Sequence, residues 1–217
     1  MSSSSRFSQW PLALGIVLLL ATAGRAAKHF VMPKPQPAKS YPAHDEHPME
    51  RVTLGLDPYD MADKAKIFAV HYSEIGFVPI FVVVTNDSDQ PISLVDTTAQ
   101  LTTVNRVKIP VATEADLSRR LANPSANTSP NPLPWPKKVK SGIGKDEQEE
   151  IENSQFAARA VEPHSTQAGF MFFDVSGISA PLAGAYFYLT GVHDSKGNEL
   201  MYFEVPLEKY LSAPASK

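Results

Sequence analysis

The sequence predicts an all-β domain, an antiparallel β-sandwich, on three observations. Short runs rich in β-branched and aromatic residues recur from Ile67 to Val205, each bounded by Gly, Pro, Asn or Asp. These runs do not alternate with helix-period segments, as a parallel α/β sheet requires. The runs on either side of Ser195-Lys196-Gly197 read as a hairpin with one apolar face.

At the N-terminus, Arg6 precedes an apolar run from Leu12 to Leu20, followed by the small residues Ala21-Thr22-Ala23-Gly24. A membrane-crossing helix needs about 20 apolar residues, and this run is shorter. Residues 1–27 are therefore expected to be a secretory signal peptide, cleaved after Ala23, Ala26 or Ala27. Arg25 and Lys28 behind the run leave an uncleaved anchor as the alternative. The expected location is outside the cytoplasm, in a periplasm or at the cell surface, with membrane contact only if the segment is retained. Residues 28–50 read as a proline-rich linker, because Pro33-Lys34-Pro35-Gln36-Pro37 favours an extended polyproline II spacer. The domain is expected over 51–211, ahead of a short tail at 212–217.

Inside it, strands are expected at Ile67–Tyr72, Val78–Thr85, Ile92–Leu101, Val107–Val111, Phe156–Val161, Ala168–Val175, Ala185–Val192 and Leu200–Val205. Val78–Val84 is apolar at both parities, the pattern of a central strand covered on both faces. The Asn86-Asp87-Ser88-Asp89 that follows invites a calcium reading. An EF-hand loop needs oxygen ligands at alternate positions, a central Gly and a later Glu, and that frame is missing. The stretch is read as a turn whose short side chains bond their own backbone. In the last hairpin, Phe187 should face Val205 and Leu189 should face Phe203, with Tyr188 opposite Glu204 on the other side. A slip of one residue would mix the two faces, so burial fixes this register.

A helix-containing, proline-rich insertion at 113–153 interrupts the strands. Thr113 with Asp116 caps a short helix that places Leu117 and Leu121 on one side and ends at Asn123-Pro124. KDEQEEIENSQF is expected to form a second helix. Between them runs a proline-rich stretch that passes from Lys137, Lys138 and Lys140 to the acidic run Asp146–Glu150. So long a loop in a compact domain is usually functional or disordered.

Net charge is -3, which gives no reason to expect nucleic acid as a partner. The chain has no cysteine, which excludes disulfides, thiolate chemistry and cysteine lipidation. It has no Gly-x-Ser-x-Gly elbow and no glycine-rich phosphate loop. No catalytic residue and no cofactor are assigned, and a non-enzymatic protein is expected. A hydrolase would need a cleft gathering His164 or His193 with a carboxylate and a Ser or Thr. His71, like His193, falls in an expected strand. Asp57, Asp60 and Asp63 lie near one helical face, but an acidic first turn ahead of Lys64 and Lys66 explains them, so no metal is assigned. The linker holds His29, Met32, His44, His47 and Met49, ligand types that suit copper. A copper-handling envelope protein is therefore the alternative to a plain spacer and binding domain.

Two surfaces are candidates for a protein partner. Trp135 beside Lys137, Lys138 and Lys140 is an aromatic anchor with a basic cluster, or a pin that holds its own loop to the domain. The outer face of the last hairpin carries Tyr186, Tyr188 and Tyr202, which would stack on a sugar or pack on a protein if uncovered. Asn86-Asp-Ser and Asn127-Thr-Ser match glycosylation acceptors.

VVVTNDSDQPISL and the later VEPHSTQAGFMFFDV resemble the signature stretches of exported bacterial immunoglobulin-like β-sandwich domains of uncharacterised function. In such domains an apolar strand ends in Thr-Asn-x-Ser, as at Thr85, Asn86 and Ser88. Later a Pro-centred turn leads into Gly-Phe-x-Phe, as at Pro163 and Gly169–Phe172. The resemblance spans about Lys66 to Leu207 without the insertion. It implies an immunoglobulin-like sandwich acting as an exported binding or accessory module, with no catalytic residues to carry over.

Overall fold

Val78 and its neighbours are apolar in both directions because their strand separates two hydrophobic cores. The computed structural model of the chain describes residues 29–123 and 143–212. Ten strands form in it: β1 (Ala43–His47), β2 (Val52–Pro58), β3 (Phe77–Asn86), β4 (Ile92–Ser93), β5 (Thr98–Thr102), β6 (Lys108–Pro110), β7 (Ala160–Val161), β8 (Ser165–Asp174), β9 (Tyr186–Thr190) and β10 (Phe203–Pro206). The first sheet runs β1-β2-β3-β8, the second β10-β9-β5-β6, and β4 pairs with β7 as a short ribbon. The fold is all-β, with every named strand pair antiparallel.

The two sheets pack face to face. Leu54, Leu56, Ile80, Val82, Val84 and Phe173 from the first meet Leu101, Phe187, Leu189, Phe203 and Val205 from the second. The opposite parity of the first sheet, Phe77, Phe81, Val83, Phe170 and Phe172, supports a second core. That core is closed by the loop carrying Phe68, Val70 and Tyr72, which follows the short helix α1 (Ala62–Ala65), and by two longer helices, α2 (Glu114–Ala122) and α3 (Lys145–Ser154). Leu117 of α2 and Ile151 of α3 are fully buried there. The described ends of the insertion are therefore a covering layer for the first sheet. Thr113 caps α2 as expected: its Oγ1 accepts from the Asp116 backbone N–H, and the Asp116 carboxylate accepts from the Thr113 N–H.

Several expectations need correction. The domain does not begin at Arg51. Ala38 is fully buried and β1 pairs along β2, while Phe30 and Met32 pack on the outer core. The spacer reading of 28–50 failed because β1 is recruited by backbone pairing and carries almost no apolar pattern. Strand β2 went unpredicted although Val52, Leu54 and Leu56 alternate, because Gly55 breaks the run. A Cβ at Gly55 would come 2.5 Å from the Ala38 carbonyl oxygen, so only glycine lets that backbone cross the strand. Ile67–Tyr72 is no strand, since its alternate residues fill the outer core without a pairing neighbour. Ile92–Leu101 is split by the turn in which Thr97 N–H donates to the Leu94 carbonyl. Only Ala160–Val161 of the run from Phe156 is strand.

The last hairpin has the expected register, Phe203 against Leu189 and Val205 against Phe187. Gly197 takes φ +82° in its turn, and its N–H donates to the Asp194 carbonyl. The edge strands β1 and β10 of the two sheets are tied together where Asp45 accepts from the Glu204 N–H at 3.0 Å.

Candidate functional site

The outer face of the second sheet carries no covering layer among the described residues, unlike the first. Antiparallel pairing sets Tyr188 of β9 between Gln100 of β5 and Glu204 of β10. Tyr186 stands two residues before it on the same face, because side chains alternate along a strand. The rings of Tyr186 and Tyr188 stack with centroids 6.3 Å apart, and Tyr188 and Tyr202 lie 6.2 Å apart. Tyr186 is 40% and Tyr202 50% exposed, so the ladder presents ring edges and hydroxyls to solvent. Burial against its neighbours, then the Glu204 carboxylate, raise the Tyr188 pKa above its ordinary value. Tyr188 therefore stays a neutral donor at physiological pH. Of the expected partner-binding residues, Tyr188 and Tyr202 are thus brought together, with Tyr186 between them and the sheet end. Trp135, Lys137, Lys138 and Lys140 lie outside the described residues, as do residues 1–28 and Asn127.

The linker ligands are not gathered. His44 and His47 are three apart on β1 and face opposite sides of the strand. His44 Nδ1 lies 2.6 Å from the Tyr41 carbonyl, while the His47 ring stacks on Phe203 at 3.9 Å. Met49 is exposed and Met32 packs on the outer core. The aspartates near residue 60 are also dispersed: Asp57 pairs with Lys64, Asp63 with Lys66, and Asp60 accepts from the Tyr210 hydroxyl at 2.9 Å. Among the described residues, no group of three or more His, Asp or Glu is placed to hold a metal ion.

His164 does meet a carboxylate. Its Nε2 lies 2.9 Å from Asp89, whose other oxygen accepts from Arg51. Three exposed turns converge there, and no hydroxyl bonds to the His164 ring among the described residues. His193 Nδ1 lies 3.0 Å from the Gly191 carbonyl. The Asn86 stretch is a turn: the Asn86 side-chain Oδ1 accepts from Ser88 N–H and Oγ–H, and its Nδ2 donates to the Gln90 and Val161 backbone carbonyls.

A cleft of about 450 Å³ opens at one end of the molecule. Phe77 and Val78 at the start of β3, the loop after β8 and Leu211 of the C-terminal helix α4 (Glu208–Leu211) form its walls. Arg120 of α2 braces it from behind. Its guanidinium is almost buried and donates to Asp174 at 2.8 Å, to Ser176 Oγ at 2.9 Å and to the Ile75 carbonyl. Sequence reasoning missed both cleft and brace, because residues from Tyr59 to Leu211 meet there without any shared local pattern.

No protein-family model matches the chain, and no curated protein matches it. Among solved structures it is similar to a conserved hypothetical protein from Bacillus anthracis, known from a 2.2 Å crystal structure. The two are 10% identical over 82% of this chain and 94% of that one, at a TM-score of 0.32. A likeness at that score carries no argument about fold or function. Among the described residues, no helix is long and apolar enough to cross a membrane.

Proposed function

We propose that the protein is an immunoglobulin-like, non-enzymatic binding or accessory module of the bacterial envelope that docks a protein partner through the tyrosine face. The observation that carries this reading is the asymmetry of the sheets among the described residues: one is covered on both sides, the other leaves Tyr186 and Tyr202 exposed beside the half-buried Tyr188. Large amphipathic rings ordered by strand pairing give contact area at little further cost in side-chain freedom. The strand order supports the immunoglobulin-like assignment. With β1 set aside, β2-β3-β8 and β10-β9-β5-β6 follow the A-B-E and G-F-C-C′ arrangement. Export rests on the N-terminal apolar run and the small residues behind it.

The test is crosslinking of tagged protein in its own host, followed by recovery from the envelope fraction. Wild type should retain a discrete partner that the Tyr188→Ala/Tyr202→Ala variant loses, with the melting temperature of the two proteins alike. Equal recovery by both would move docking off this face. N-terminal sequencing of the same material reads export directly: a start at Gly24, Ala27 or Lys28 marks cleavage. A chain still beginning before Leu12 marks a retained anchor.

A further inference from the structure

We propose that the cleft beside α4 is a binding site for a small primary amine with an apolar body, separate from the tyrosine face. Its volume, about 450 Å³, is within the range of small-molecule sites. Phe77, Val78, Val175, Ile178, Leu182 and Leu211 supply apolar walls. The site is held open before any ligand arrives. Arg120 ties Ser176 and Asp174 to the Ile75 carbonyl, and Val175 N–H donates to the Gly76 carbonyl at 2.8 Å. Ala180 in the same wall sits at φ +47°, a left-handed conformation that costs a non-glycine residue and is typically retained near ligand sites.

Charge selects the ligand class. Among the described residues, Asp60 is the one acidic residue lining the cleft, and no Lys, Arg or His lines it. Asp60 Oδ1 accepts from the Tyr210 hydroxyl, and Oδ2 has no hydrogen-bond partner among the described residues. The nearby cation, Lys64, is committed elsewhere: it pairs with Asp57 and sits over the rings of Tyr59 and Tyr210, 5.6 and 4.7 Å from their centroids. An ammonium group at the rim would find a carboxylate oxygen, and a carboxylate-headed ligand would meet repulsion. The apolar walls would take the hydrocarbon.

The experiment is an amide NMR titration at neutral pH with octylamine, 1-octanol and octanoate as probes. Saturable shifts are expected at Gly177, Ile178 and Leu182. Octylamine should bind about fivefold tighter than 1-octanol, the scale of one exposed ion pair, and octanoate should bind weakest. Asp60→Asn should erase the advantage of the amine and leave 1-octanol unchanged. Ala183→Trp and Ser73→Trp, both at exposed positions of the lining, should each abolish binding while keeping the wild-type melting curve. Tyr188→Ala/Tyr202→Ala should bind octylamine like wild type, whatever becomes of the protein partner. The proposal is overturned by octanoate binding as well as octylamine, by undiminished binding in both tryptophan variants, or by no cleft shifts at about 1 mM octylamine.

Discussion

Asn86 is fully buried at the end of β3, where its one side chain joins three segments. Its amide donates to the Gln90 carbonyl at 2.8 Å and the Val161 carbonyl at 3.0 Å, so it closes its own turn and fastens β7 beside it. Truncation would orphan the buried Val161 carbonyl at about 1–3 kcal/mol, and the half-buried Gln90 carbonyl at less. Asn86→Ala should therefore lower the melting temperature by on the order of 10 °C, given the usual scaling for a chain of this size. A loss within about 3 °C in circular dichroism melts would show that water replaces the amide at little cost. A glycan on the Asn86 amide is incompatible with that burial and those donations: expressed through a eukaryotic secretory pathway, the folded protein should carry none there by mass spectrometry. Glu150 is a second buried hinge of the structure. Its carboxylate accepts from the Ala69 and Val70 backbone N–H groups, while the Tyr72 ring lies beside it. Burial outweighs those bonds and raises the Glu150 pKa above its ordinary value. An acid with a raised pKa binds its proton more readily when folded, so its contribution is full below the unfolded pKa and fades as pH rises through the folded one. Between pH 7.5 and pH 5, wild type should thus gain stability relative to Glu150→Gln, which cannot titrate. A melting-temperature gap that stays constant or moves the other way would refute the assignment.

At the scale of elements, α2 shows how little of a helix's job its own sequence declares. The capping box of Thr113 and Asp116 and the buried Leu117 were legible, because both follow from spacing within one turn. Arg120 was not legible, since nothing local distinguishes it from Arg119. Arg119 pairs with Asp116 on the exposed surface of the same helix, whereas Arg120 is turned inward onto Asp174, Ser176 and the Ile75 carbonyl, with Phe77 beneath it. Removing one member of a mostly buried pair leaves the other uncompensated. Arg120→Ala should cost about 3 kcal/mol, and Arg119→Ala less than about 1 kcal/mol. Urea denaturation of the two variants decides it, and similar midpoints would mean the brace is not structural. The strands divide the same way. β3, β8 and the last hairpin announced themselves through burial-driven patterns, and their registers followed. β1 did not, because backbone pairing and the Asp45 carboxylate place it. The tyrosine ladder was visible as a face, but its bareness depends on which sheet the helices cover, a tertiary fact.

For the whole molecule, the decisive feature is that one sheet serves two cores. β3 and β8 send alternate residues into each, so neither core can loosen without disturbing strands that the other needs. Far-ultraviolet and near-ultraviolet circular dichroism should therefore melt together, the first reporting the sheets and the second the aromatic outer core. The N-terminal boundary tests this coupling more sharply. A chain beginning at Arg51 would lack the Ala38 segment that crosses Gly55 and all of β1, and with it the Asp45 link to Glu204 and the His47 ring against Phe203. It would also lose Phe30, which stacks on Phe68 at 5.5 Å in the outer core. Both cores would open at once, and the edge of β2 would be bared to pair with other chains. The prediction is that a chain covering 51–217 aggregates or melts at least about 15 °C below one covering 29–217, well beyond the effect of a single substitution. If the two instead melt together, residues 29–50 are a spacer after all, and the first sheet is stable with β2 as its edge.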